Sequence, residues 1–201
     1  AGKGGHGALP HRNLDPIVTA ASIIMNLQTL VSRTIDPQEP AVITIGTIHG
    51  GTANNVIPDK VEMTGTVRTF SPAVRNQMEG WLRRVVTEVA HGLGTQAELF
   101  YRYDLPAVLN PTEPTSVVKG AIKKIAGDDG IWHPTPSMGG EDFAIFQERV
   151  PGCLFWLGVR NEERGLIHPW HSPYFDIDED ALPIGAGVLA QAVIDAMEKL
   201  S

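Results

Sequence analysis

Gly2-Lys3-Gly4-Gly5-His6-Gly7 is the first segment of the chain whose residue types could do chemistry. Its spacing satisfies G-x-G-x-x-G ahead of a helix, the shape of a loop that cradles phosphate with backbone N–H groups. No strand precedes it in this chain, and the next strand, ending at Thr47-Ile48-His49, lacks the acid that would hold a ribose. The same residues also read as a plain glycine turn. A third reading is a close-packed backbone that presents His6, a donor and acceptor able to titrate near neutral pH, to a ligand.

Further along, His168-Pro169-Trp170-His171-Ser172-Pro173-Tyr174-Phe175 is followed by Asp176, Asp178, Glu179 and Asp180. Imidazoles beside carboxylates on a proline-stiffened loop are the ligand types of zinc and similar divalent ions. The acids equally suit the N-terminus of the helix that follows. Met138-Gly139-Gly140-Glu141-Asp142-Phe143 is a glycine turn whose acids open a helix, either a cap or a site. The long segment His49–Asp59, rich in Asn, precedes Arg68 inside a strand. An Arg plus an Asn suits bidentate recognition of a carboxylate, while a structural turn with a solvent-facing Arg is the simpler account. His11, His91 and His133 show no partner pattern.

These residues must be positioned by regular elements. Leu14, Ile17, Val18, Ala21, Met25, Leu27 and Leu30 recur at helical spacing after Asn13, read as the cap, with Asp15 and Pro16 in the first turn. Residues 41–45 and 60–68 read as paired strands, a second helix starts at Pro72, and Ala97–Tyr103 alternates like a strand. The order helix, strand, strand, helix, strand is a split βαββαβ unit wanting one strand in front. The second half offers helices over 113–126, 141–148 and 180–200 and an apolar strand over 152–159 holding Cys153, read as a buried thiol. Two or three strands without neighbours cannot form a layered α/β core, so part of it is expected from sequence not shown.

Charge divides the chain at the same place as the elements do. Of 16 basic and 23 acidic residues, positions 1–110 hold 9 of each, so the excess of −7 lies in 111–201. The change falls on a Pro-rich stretch from Asp104 to Pro114, read as a linker. The acidic balance repels phosphate backbones, which argues against nucleic acid as a partner. With 201 residues, 42% hydrophobic and no run judged long enough to span a membrane, a soluble globular protein without a membrane partner is expected. The single cysteine fits a reducing cytoplasm.

Five separated segments, Gly2–His11 with Asp15-Pro16, Gly50–Asp59, Gly65–Arg68, Gly139–Phe143 and His171–Pro173, together resemble the M20 metallopeptidases. The similarity is to the aminoacylase, hippurate hydrolase and indole-acetyl-amino-acid hydrolase branch. The resemblance implies a zinc-peptidase-like α/β catalytic domain with a two-metal centre, interrupted by a ferredoxin-like α+β lid that also makes a homodimer. Residues 1–110 match that lid without its first strand, and 111–201 match the last part of the catalytic domain. The family's other metal ligands have no counterpart here, and His171 alone matches one.

By the same resemblance, two divalent cations (zinc, manganese or cobalt) acidify a bridging water, a glutamate takes its proton, and the hydroxide attacks the amide of an N-acyl amino acid. His6 matches the histidine that reaches from one subunit's lid into the other's site to steady the oxyanion, an effect of roughly 3 kcal/mol. Asn55 and Arg68 match positions that contact the substrate or its carboxylate, with Asn54 an alternative to Asn55. Gly139 and Gly140 match a substrate-binding loop beside the metals, and His168 matches nothing. The chain alone is expected to be inactive, because one histidine cannot hold two cations. A non-catalytic dimerisation module and a nucleotide-binding protein stand as the competing readings.

Overall fold

The computed structural model describes residues 1–200; Ser201, the last position of the second expected segment, lies outside them. Two antiparallel pairs make up the strands: β1 (Gly5–His6) with β3 (Val56–Ile57), and β2 (Ala41–Gly50) with β4 (Val61–Thr69). The β2–β4 ladder runs five residues past the apolar segment that marked its first strand. It shifts register between Ile45 and Thr47, leaving Gly46 as a bulge.

Helix α1 (Pro16–Thr29) begins where Pro16 occupies the first turn, a place where the missing N–H costs nothing. Its cap is Asp15, not Asn13: Asp15 Oδ1 accepts from Ile17 N at 2.8 Å and Val18 N at 3.3 Å. The Asn13 amide instead donates to the Leu9 carbonyl at 3.0 Å. Helix α2 (Pro72–Gly92) buries Val74, Met78, Leu82, Val86 and Ala90, one every four residues, which is a single helical stripe. That stripe meets Ile23, Leu27, Leu30, Ile35 and Ile43 in one core, with Met78 and Ala90 fully buried.

The strand expected over Ala97–Tyr103 is not one. Its alternation is real, since Ala97, Leu99 and Tyr101 pack against the core while Phe100 is 87% exposed. A strand also needs a ladder, and among the described residues this segment has none. One of its carbonyls finds another donor: Arg83 Nη1 reaches Leu99 O at 3.2 Å.

The chain forms two compact units, Ala1–Ala107 with Met138–Gly140, and Val108–Ser137 with the residues from Glu141 onward. The second unit is built on α3 (Thr112–Ala126), the short α4 (Phe143–Gln147) and α5 (Ala181–Leu200). Ala121 and Val188 are buried between α3 and α5, and Lys124 Nζ bonds Asp195 Oδ1 at 2.6 Å. The strand expected over 152–159 likewise has no ladder among the described residues. The Asn110 side chain stands in for a neighbour, accepting from Leu154 N at 2.9 Å and donating to Leu154 O at 2.7 Å. Cys153 is half-buried rather than buried.

One expectation about length is corrected here. By length and composition, Ala181–Lys199 is apolar enough to cross a membrane, with a mean hydropathy of 1.3. Gln191 and Asp195 interrupt the apolar run. In the fold these two bond each other at 2.7 Å and Asp195 pairs with Lys124, so the polar positions face α3. Leu189, Val193 and Met197 on the same helix are exposed.

Candidate functional site

The glycine segment at the start of the chain is a strap tied to the β3–β4 corner and the start of α1. Gly2 N donates to Asp59 O at 2.8 Å, Lys3 N to Leu14 O at 2.9 Å, and Gly7 N to Asn55 O at 2.8 Å. Gly4 N donates to the Asp59 carboxylate, also at 2.8 Å. Gly2 and Gly4 are required by close approach: a Cβ at either would sit 2.2 Å from Leu14 O or 2.6 Å from Ile57 O. Because these N–H groups already hold protein acceptors, the strap cannot cradle a phosphate, and the nucleotide reading falls.

What the strap presents is His6, which is exposed and lies opposite Val56 in the β1–β3 pair. Its Nδ1 accepts from Ala8 N at 3.0 Å. A neutral imidazole that accepts through Nδ1 carries its proton on Nε2, so this bond assigns a tautomer whose outer edge is an N–H donor. Asn55 adjoins it through the Asn55 carbonyl bond to Gly7. Asn54 lines a shallow cavity of about 310 Å³ with Ile17, Gly51 and Thr52.

Arg68 sits in β4 opposite Val42 and is exposed. Among the described residues it has no carboxylate partner. Gly140 lies against its guanidinium, and a Cβ there would fall 2.6 Å from Arg68 Nη1 and 3.4 Å from Leu105 Cδ1. Gly139 precedes it and is exposed as well. The first unit thus holds two juxtapositions, His6 with Asn55 and Arg68 with Gly140.

His171 belongs to the second unit. It is the third residue of a turn closed by Ser172 N donating to Pro169 O at 3.1 Å, and its φ is +67°. That position ordinarily calls for Gly or Asn, so the backbone carries strain of about 1–3 kcal/mol for an exposed imidazole. Three of the four carboxylates that follow it, Asp176, Asp178 and Asp180, are engaged elsewhere. Asp176 Oδ1 accepts from Ile177 N, and Asp180 pairs with Arg164 at 3.1 Å. Asp178 accepts from Asn161 Nδ2 at 2.6 Å and from Arg164 at 2.7 Å; the Asn161 bond above all holds its carboxyl below the usual aspartate range. Glu141 Oε1 lies 3.4 Å from Phe143 N, a weak contact at the start of α4. Among the described residues no group of three or more His, Cys, Asp or Glu could hold a metal ion.

Two engaged residues carry little or no signal in the sequence. Asp59 is an acid directly after Pro58 at a strand start, a common side-chain acceptor, and Asn110 lies in the Pro-rich linker, where only the tertiary structure shows its amide bridging Leu154.

The chain is a member of peptidase family M20/M25/M40, whose pattern it matches over residues 10–195. It is 40% identical over 194 residues to thermostable carboxypeptidase 2 of Saccharolobus solfataricus, covering 96% of this chain and 48% of that protein. It is 39% identical over 199 residues to N-acetylcysteine deacetylase of Bacillus subtilis, covering 99% and 50%. A solved structure, the YXEP protein of Bacillus subtilis described as a dinuclear metal binding peptidase from the M20 family, superposes with a TM-score of 0.73 at 36% identity, over 92% of this chain and 47% of that one. The fold is therefore the mixed α/β fold of that family, and the chain spans about half the length of the curated relatives it matches.

Proposed function

We propose that this chain serves a metal-dependent amidohydrolase that cleaves the amide bond of N-acyl amino acids, with residues 1–110 as lid and 111–201 as part of the catalytic domain. The observation that carries the reading is the Ala8 N–H donating to His6 Nδ1, which leaves Nε2–H free on an exposed edge. An N–H donor held in one tautomer is suited to an oxyanion that forms only as the amide carbonyl is attacked. Arg68, without a carboxylate partner among the described residues, suits the substrate's carboxylate, with Asn55 near the acyl-amide end and Gly139 and Gly140 flanking. Relatives named for deacetylation and for carboxypeptidase action fit a substrate that joins an amide to a free carboxylate.

The residues described here do not fit a two-cation centre by themselves. His171 supplies one ligand, and Asp176, Asp178 and Asp180 beyond it are bonded to Arg164, Asn161 and backbone. We assign His171 to one cation of a pair whose remaining ligands come from the length of the relatives that this chain does not span. Zinc, manganese and cobalt are the candidate ions. The outer edges of the two-stranded β2–β4 sheet suit homodimerisation of the lid, and a cytoplasmic location fits the lone thiol.

The test uses the active enzyme at its relatives' length. His6→Ala is expected to lower kcat by about 10²–10³ with metal content unchanged. His171→Ala is expected to lose metal by elemental analysis, and a chelator to abolish turnover. An unchanged kcat in His6→Ala removes the oxyanion role, and full metal retention in His171→Ala removes the ligand.

A further inference from the structure

We infer that Asp59 is the positioning residue for His6. The inference rests on the oxyanion role proposed for His6 and adds a residue to which no part in the reaction has been given. His6 sits on a two-residue strand, and a pair that short cannot fix an imbalance of loop motion by ladder bonds alone. Past His6 the strap is tied by Gly7 N donating to Asn55 O at 2.8 Å, and ahead of His6 its one side-chain acceptor among the described residues is Asp59. Asp59 takes Gly4 N on its carboxylate at 2.8 Å and Gly2 N on its own carbonyl at 2.8 Å, a two-point clamp from one residue.

The clamp is rigid at its base. Pro58 fixes the backbone immediately before Asp59, and β4 begins two residues later at Val61. Asp59 is exposed and enters no ion pair among the described residues, so its charge is not required for a salt bridge. A carboxylate accepting a backbone N–H makes a stronger bond than a neutral acceptor, which suits a strap that must hold an imidazole to within a fraction of an ångström. Asp59 itself never reaches the substrate in this account. It acts through Gly4, Gly5 and the orientation of His6.

The experiment is a double-mutant cycle in the active enzyme, with Asp59→Ala, Asp59→Asn, His6→Ala and His6→Ala/Asp59→Ala. Asp59→Ala is expected to lower kcat about tenfold with KM within about twofold, and Asp59→Asn, which keeps an acceptor at Oδ1, to restore most of it. In the His6→Ala background, adding Asp59→Ala is expected to change kcat less than about twofold. A merely structural role would give the same loss in both backgrounds and overturns the inference, as does an unchanged kcat in Asp59→Ala. If His6→Ala alone leaves kcat intact, it is the oxyanion reading that fails. The positioning claim is then decided by ¹⁵N NMR on this 201-residue chain: Asp59→Ala should speed Gly4 amide exchange and shift the His6 ring nitrogens toward mixed tautomers, and unmoved signals refute it.

Discussion

Replacing Gly140 by alanine should alter substrate preference without altering the fold. The new Cβ would lie 2.6 Å from Nη1 of Arg68, where ordinary contact begins at about 3.5 Å. The guanidinium must therefore withdraw by about 1 Å, which its flexible stem permits at little cost to stability. A charge-assisted hydrogen bond to the substrate carboxylate, about 2.8 Å long, does not survive that displacement. Its loss is worth about 1.5–3 kcal/mol, or roughly 10- to 100-fold in KM. The assay compares kcat/KM for an N-acyl amino acid and for the corresponding C-terminal carboxamide in wild type, Gly140→Ala and Arg68→Ala. Both variants should lose the preference for the carboxylate while Tm stays within a degree or two. If Arg68→Ala loses the preference and Gly140→Ala keeps it, the steric reasoning is refuted; if neither loses it, Arg68 does not bind the carboxylate.

Two predictions concern stability. Asp15→Ala should cost about 1 kcal/mol in urea denaturation through loss of the α1 cap, and Asp15→Asn should recover most of it. Asp178 has a carboxyl held low in the folded state, so its contribution is complete above the ordinary aspartate value and disappears as pH falls through the lowered one. Wild type should therefore lose stability below about pH 4 more steeply than Asp178→Asn, and parallel curves would show that the Asn161 and Arg164 bonds contribute nothing.

Helix positions were legible because helical periodicity is local. The spacing of Val74, Met78, Trp81, Leu82, Val85, Val86 and Val89 marks one helix face, of which the fold buries Val74, Met78, Leu82 and Val86 and leaves Trp81, Val85 and Val89 partly buried at its edge. The strand at 97–103 shows where that reasoning stops. Alternation reports which side chains face a core, and Ala97, Leu99 and Tyr101 do face it, but a strand is also a set of hydrogen bonds to another segment. No periodicity in one segment contains that second segment. The same holds for 152–159, whose backbone partner is a side chain more than forty residues away.

For the candidate site, residue types were in the sequence and their connections were not. His6, Arg68 and His171 stand out because imidazole and guanidinium chemistry attaches to single residues. Which nitrogen of His6 carries the proton depends on Ala8 N, which residue anchors the strap depends on Asp59, and why position 140 is glycine depends on where Arg68 lies. The amino-acid sequence determined the helices, the chemistry-bearing side chains and, through five separated segments, the family. The tertiary structure alone decided which backbone groups are engaged and which side chains touch, because a hydrogen bond or a steric contact is a relation between distant positions and is encoded by neither one of them.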